Sequence, residues 1–174
     1  MSLYNVNLFN ARSLKNKICD LHCHLNNNNL DIVCITETWL HSSTPDSVVI
    51  CDSNFSLFRK DRPSDREGGG VCILTNNATV KAVPVYLSTK FESLEMAVVD
   101  IVSTASSFRL FVVYRPPSCS DYDPVSLSYT SLLCECIESL IPLNSTFILC
   151  GDFNFPKITW SNDYNVLTHA ATFS

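Results

Sequence analysis

The chain has 174 residues, of which 46% are hydrophobic, 17% charged and 10% aromatic, with a formal net charge of -5. That length holds one domain with a sizeable core rather than two, and the composition excludes a disordered chain. The acidic balance weighs against a tight, autonomous nucleic-acid binder, because phosphate contacts favour a basic surface. It leaves room for an enzyme that meets phosphate through bound metal or borrows affinity from a neighbouring domain.

In chain order, Leu3 to Phe9 is expected to form a strand. Ser13 is read as a helix N-cap, followed by an apolar stripe of Leu14, Ile18, Leu21 and Leu25 at helical spacing. The tract Asn26 to Asn29 lies where that helix ends, and asparagine tolerates the left-handed conformation there. Asp31 to Thr36 is expected as a buried strand, Thr38 to Val49 as a loop with a short helix, and Phe55 to Arg59 as a strand. Asp61 to Gly70 is a charged loop ending in three glycines. No Lys-Ser/Thr follows those glycines, so a hairpin or bulge is preferred to a phosphate loop. Val71 to Thr75, Thr79 to Tyr86, Leu94 to Val102 and Arg109 to Tyr114 are β-branched strands, the last stopped by Pro116 and Pro117. Pro124 to Leu140 carries Val125, Leu127, Leu132, Leu133, Ile137 and Leu140 and suits an amphipathic helix. Phe147 to Cys150 is expected as a final buried strand.

Strands outnumber helices and often follow one another directly. The pattern predicts an α/β domain with helices outside sheet, and argues against a purely parallel sheet. The longest apolar runs, such as Phe111-Val112-Val113, are too short to span a bilayer, and Met1 is followed by neither a basic start nor an extended apolar stretch. The nine cysteines are scattered and odd in number. Cys34, Cys72 and Cys150 sit in apolar runs and read as small buried hydrophobes, reduced thiols of an intracellular protein. Cys19, His22, Cys23 and His24 have the wrong spacing for a zinc knuckle and read as a helix surface.

One chemical pattern recurs. Apolar strands end in polar residues able to meet metal or phosphate: Asn10 after Leu8-Phe9, Glu37 after Ile35-Thr36, Tyr114-Arg115 after Val112-Val113, and Asp152 with Asn154 after Leu149-Cys150-Gly151. Strand ends on one rim are rigid mounts, and oxygen donors of this kind suit Mg²⁺ better than zinc. Each residue also has a plainer reading. Asn10 fits a cap or turn, Glu37 a solvated strand end, Tyr114 a sheet residue before a proline turn, and Asp152 and Asn154 a turn. Arg62 and Arg115 read more simply as solvated charges, and Trp39 and Trp160 as core or rim packing.

Gly151-Asp152-Phe153-Asn154 resembles the signature of the endonuclease/exonuclease/phosphatase superfamily. Ile35-Thr36-Glu37-Thr38 is similar to its metal-binding Glu motif, and Asn10-Ala11-Arg12-Ser13-Leu14 to its first Asn motif. The same motifs, together with Asp61-Arg62, Gly68-Gly69-Gly70-Val71, Tyr114-Arg115-Pro116-Pro117-Ser118 and then Pro156, Ile158 and Trp160, resemble the N-terminal endonuclease of CR1-like LINE elements over residues 3 to 160.

That resemblance implies a DNase I-like four-layer α/β sandwich, two mixed, mainly antiparallel sheets flanked by helices. It makes residues 1–174 one partial domain that is incomplete at the C-terminus. It implies Mg²⁺, or Mn²⁺ in its place, with no small-molecule cofactor. Glu37 becomes the main metal ligand, with Asn10 a second metal residue that lies near the phosphate as well. Asp152 orients or deprotonates water, Asn154 and Tyr114 contact phosphate and its developing charge, and Arg115 assists. The implied partners are DNA and a reverse transcriptase of the same polyprotein, in the nucleus and away from any membrane. Such domains also carry a late Ser-Asp-His motif. His169 has no Ser-Asp before it and is not assigned, so the isolated chain is expected to show marginal stability and little turnover. Three functions follow: a nicking endonuclease that primes reverse transcription, an inactive truncated copy, or another phosphatase of the superfamily. The Asn10 and Tyr114 motifs argue against the last.

Overall fold

The computed structural model describes residues 3–50, 54–62, 67–103, 107–117, 128–141 and 146–155, and the backbone of 124–127, 158–160 and 167–169. The first sheet contains β1 (Val6–Asn10), β2 (Ile32–Thr36), β3 (Phe55–Lys60) and β4 (Val71–Asn76) in the order β1-β2-β4-β3. The second contains β5 (Lys81–Pro84), β6 (Glu95–Val102), β7 (Phe108–Tyr114) and β8 (Thr146–Asp152) in sequential order. Each sheet has one parallel pair, β1 with β2 and β7 with β8, and is otherwise antiparallel. Parallel neighbours need a long crossover, and helices supply it. α1 (Ile18–Asn27) joins β1 to β2, and α3 (Pro124–Leu140) lies between β7 and β8. A short α2 (Asp46–Ile50) follows β2, and a 3-10 turn at Thr89–Phe91 precedes β6.

Alternation along the strands divides the core into three zones. On the outer face of the first sheet, Val33, Ile35, Cys72 and Leu74 meet Leu21 and Leu25 of α1 and Val49 of α2. Between the sheets, Ile32, Cys34, Val71 and Ile73 meet Ala97, Val99, Ile101, Leu110, Val112 and Tyr114. Outside the second sheet, Met96, Val98, Phe111 and Val113 meet Leu133 and Cys136 of α3. β2 is buried at every residue because both of its faces are covered, which is why it reads as a continuous apolar run. The result is helix, sheet, sheet, helix: the two mixed sheets with flanking helices that the sequence implied.

Three expectations need correction. Ser13 does not cap α1; the helix starts later, with Lys17 at the N-cap position, and Ser13 has a positive φ of 82° in the preceding loop. That loop must first turn away from β1, and its backbone is committed to β2's exit instead. Asn28 closes α1 in an extended conformation, with its side chain bonding the His24 carbonyl, rather than in the left-handed one. Phe147, Ile148 and Leu149 are not buried but 42%, 43% and 37% exposed, because β8 is the outer strand of its sheet. Nor is β8 the last strand, since β9 (Ile158–Trp160) and β10 (Leu167–His169) form an antiparallel pair. Cys34 and Cys72 are buried as expected, whereas Cys150 is only half-buried, and the described cysteines form no disulfide. Gly68 to Gly70 indeed close the loop between antiparallel β3 and β4.

Gly151 is a point where backbone approaches backbone. Its φ is +138°, and a Cβ there would collide with the Val113 carbonyl on β7. Gly151→Ala is therefore expected to destabilise the domain by about 3 kcal/mol, since it adds both strain and a main-chain clash. A urea midpoint equal to wild type would refute that close approach.

Candidate active site

Register gathers the chemical residues at one rim. Asn10 closes β1 opposite Thr36, the end of β2, so Glu37 leaves the sheet beside it. Tyr114 closes β7 opposite Asp152, the end of β8. Because parallel partners share a direction, each pair finishes at the same edge, and packing of the two sheets sets the two edges together. β1 and β2 both touch β8.

The contacts are specific. The Asn10 side-chain amide donates to Glu37 Oε1 at 2.7 Å and to Asp152 Oδ2 at 3.1 Å. Asn10 Oδ1 accepts the Arg12 backbone N–H at 3.0 Å, which fixes which end of the amide faces the carboxylates. Asp152 Oδ1 accepts the Asn154 backbone N–H at 3.2 Å, a local turn that Asp favours. Both oxygens of Asp152 are thus held. Asn154 Nδ2 donates to the Arg115 carbonyl at 2.6 Å. The structure brings Asn10, Glu37, Asp152 and Asn154 into one hydrogen-bonded group across a sequence separation of 142 residues.

Tyr114 adjoins this group. Burial, followed by the negative charge of Glu37, pushes its phenol up to about 12; Glu95 and Asp152 add to the rise and Arg62 opposes it. The phenol therefore stays a proton donor at any physiological pH. Arg115 corrects its simpler reading as a solvated charge: it is only 1% exposed. Its guanidinium stacks on the Phe155 ring at 4.1 Å and donates to the Asn154 carbonyl at 3.1 Å.

Arg62 is likewise not simply solvated. Its Nε and Nη2 donate to Glu95 Oε1 at 2.8 and 2.6 Å, and its guanidinium lies 5.7 Å from the Tyr114 ring centroid. Glu95, at the start of β6, also accepts the Gly70 backbone N–H at 2.6 Å. The pair therefore ties the glycine loop of one sheet to the second sheet. A Cβ on Gly69, whose φ is +67°, would strike both Glu95 and Arg62. Sequence reading missed Glu95, Phe155 and Tyr129, whose hydroxyl donates to the Tyr114 carbonyl. The one available signal was a lone acid opening the apolar run Met96-Ala97-Val98-Val99.

The rim is also strained. Among the described residues, the non-glycines with positive φ are Arg12, Ser13, Glu37, Trp39 and Asn154, all at this edge. Each costs about 1–2 kcal/mol, and such residues persist where surrounding structure fixes them. Here backbone bonds do so: Ser13 N–H to the Glu37 carbonyl, Leu14 to Thr38, Thr38 to Gly70, and Trp39 to Gly69.

Among the described residues no three His, Cys, Asp or Glu side chains form a metal cluster. The donors at hand are the carboxylates of Glu37 and Asp152, drawn together over one amide. Such a sparse, hard-oxygen set fits a cation that keeps most of its waters, as Mg²⁺ does, and not zinc. Ser118 and Pro156 and the side chains of Trp160 and His169 lie outside the described residues.

Two outcomes follow for the Glu95 pair. Glu95→Ala leaves Arg62 without its partner and is expected to cost about 3 kcal/mol in urea unfolding; a loss within error would mean that the pair carries no stability. Glu95→Gln removes a negative charge near Tyr114 and is expected to lower the phenol's pKa. Tyrosinate absorbance in EDTA, taken as the difference from Tyr114→Phe, reads that shift. Because the folded phenol lies above its ordinary value of about 10, its stabilising effect is complete below that pH and is lost as pH rises through about 12.

Known proteins share this fold. The endonuclease domain of TRAS1, a telomere-specific non-LTR retrotransposon, superposes with a TM-score of 0.60 at 17% identity, covering 87% of this chain and 60% of that one. An AP endonuclease from Archaeoglobus fulgidus gives 0.64 at 16% identity, covering 91% and 62%. The 3' phosphatase NExo from Neisseria, bound to product DNA hairpin, gives 0.65 at 16%, covering 87% and 58%. The chain thus spans about three-fifths of the length of these structures. No curated protein matches it significantly in sequence. Residues 3–171 match the Endonuclease/Exonuclease/phosphatase family, whose members typically use a divalent metal, and the chain belongs to that family.

Proposed function

We propose that this chain carries the phosphodiester-cleaving site of an Mg²⁺-dependent DNA endonuclease. It would serve a non-LTR retrotransposon by nicking nuclear DNA to leave a 3′-hydroxyl for a reverse transcriptase of the same polyprotein. The observation that carries this reading is the Asn10 amide joining Glu37 to Asp152. Two carboxylates that converge at one rim repel each other unless a donor or a cation lies between them. The TRAS1 likeness and the order of the strand-end motifs support the retrotransposon assignment.

Each side chain then has a task. Glu37 would hold Mg²⁺, or Mn²⁺ in its place, with Asn10 beside it orienting both carboxylates, and the bound ion would supply neutralisation of phosphate charge and a more acidic water. Asp152, fixed at both oxygens, aligns the attacking water and takes its proton. The Asn154 amide and the protonated Tyr114 phenol donate to the charge that develops on the phosphate oxygens. Arg115 acts on substrate indirectly, by holding Asn154 through its carbonyl. A second reading is a domain that keeps this scaffold without turnover.

Two measurements separate these readings. In a plasmid-nicking assay with Mg²⁺, Glu37→Gln and Asp152→Asn are each expected to lower the rate by at least about 100-fold. Equal nicking by wild type and both variants would overturn the site. Calorimetric titration with Mn²⁺ should show weaker binding for Glu37→Gln. Metal binding that depends on Glu37, without nicking by wild type, supports the scaffold reading.

A further inference from the structure

A second cleft opens beside the site. It holds about 570 Å³ between the loop following β1 and the segment following Glu37, with Ser13, Lys15, Trp39, Arg62, Gly68 and one acid, Glu67, whose carbonyl accepts from Arg62, in its walls. Trp39 is 36% exposed although most large apolar side chains near it are buried. Its φ of +52° turns it off the end of β2, and its N–H is pinned to the Gly69 carbonyl at 2.9 Å. An exposed indole held by a strained, bonded backbone is a rigid flat surface. Gly68 places no side chain between the Trp39 indole and the Arg62 guanidinium. Arg62 also lies against the Tyr114 ring, so it is a wall common to the cleft and the proposed site.

Charge points the same way. The chain is acidic overall, yet residues 11–17 carry Arg12, Lys15 and Lys17 and no acid. Lys17 spends its ammonium on the Ala11 and Arg12 carbonyls, while Arg12 and Lys15 are exposed. A flat aromatic one residue beyond Thr38, sharing its cleft with the exposed Lys15 and with Arg12 in the same loop as Lys15, matches the demands of a nucleotide: a π-surface for the base and cations for its phosphates.

We propose that this cleft seats a nucleotide of the DNA strand next to the scissile phosphate, with the base stacked on Trp39 and the neighbouring phosphates met by Arg12 and Lys15. The inference rests on the phosphodiesterase reading for the words "next to the scissile phosphate"; binding itself can be tested apart from cleavage.

The test uses the full chain in EDTA and fluorescence anisotropy with a short fluorescein-labelled single-stranded DNA. Trp39→Ala is expected to weaken binding about tenfold, and Trp39→Phe, which keeps a ring, by less than about threefold. Lys15→Ala should weaken binding and reduce the slope of log affinity against log salt by about one. In a Trp160→Phe background, DNA should quench the remaining tryptophan emission. Wild-type affinity in Trp39→Ala would overturn the proposal, as would equal losses in Trp39→Phe and Trp39→Ala, because ring stacking would then not be responsible. The two readings fail separately. If Glu37→Gln abolishes nicking while Trp39→Ala binds DNA normally, only the cleft assignment falls. If Trp39→Ala loses DNA while Glu37→Gln still nicks, the cleft stands and the proposed catalytic site falls.

Discussion

The packing of β2 and β4 against β6 and β7 governs everything functional in this molecule. Ile32, Cys34, Val71 and Ile73 interdigitate with Val99, Ile101, Leu110 and Val112, and none of these is more than marginally exposed. Burial of each such side chain contributes about 1.5–3 kcal/mol, so the interface is far stronger than any single polar contact at the rim. It sets the position of one sheet on the other. Since Glu37 belongs to the first sheet and Asp152 to the second, their approach follows from apolar packing rather than from their own interaction, which is repulsive.

The rim shows how stability from the core is converted into local strain. Five non-glycine residues sit at positive φ, and two like charges are brought together. These costs are tolerated because ladder-like bonds continue past the strand ends, from residues 11–14 to 36–38 and from 38–39 to 69–70. Arg62 and Glu95 brace the same region from the other side, spanning the two sheets with a largely desolvated contact in which two guanidinium nitrogens donate to one carboxylate oxygen. Backbone freedom there is low, so side chains such as Trp39 and Asn154 are presented in fixed directions.

This construction also reconciles an acidic chain with a phosphate-cleaving family. Three of the twelve Lys and Arg residues, Arg12, Lys15 and Lys17, lie together in the loop after β1, and Arg62 and Arg115 are folded inward, where they organise Glu95 and the Asn154 carbonyl. Net charge describes long-range attraction, whereas the local field at a rim depends on which few groups the fold places there.

Sequence by itself determined the alternation of strands and helices, the β1–α1–β2 order, the bounds of α3, and the polar residues that close apolar strands. These are local properties, legible in periodicity and in the abrupt change from apolar to polar at Asn10, Glu37, Tyr114 and Asp152. It misjudged Ser13, because the loop's backbone bonds go to Glu37 and not to a helix end, and Phe147 to Leu149, because an apolar run does not reveal whether its strand is central or outermost. Only tertiary structure decided that Arg115 is buried, that Glu95 binds Arg62 and Gly70, and that one asparagine amide spans two carboxylates. Those facts depend on the register and stacking of two sheets, and residues 142 positions apart have no local pattern from which such a contact can be read.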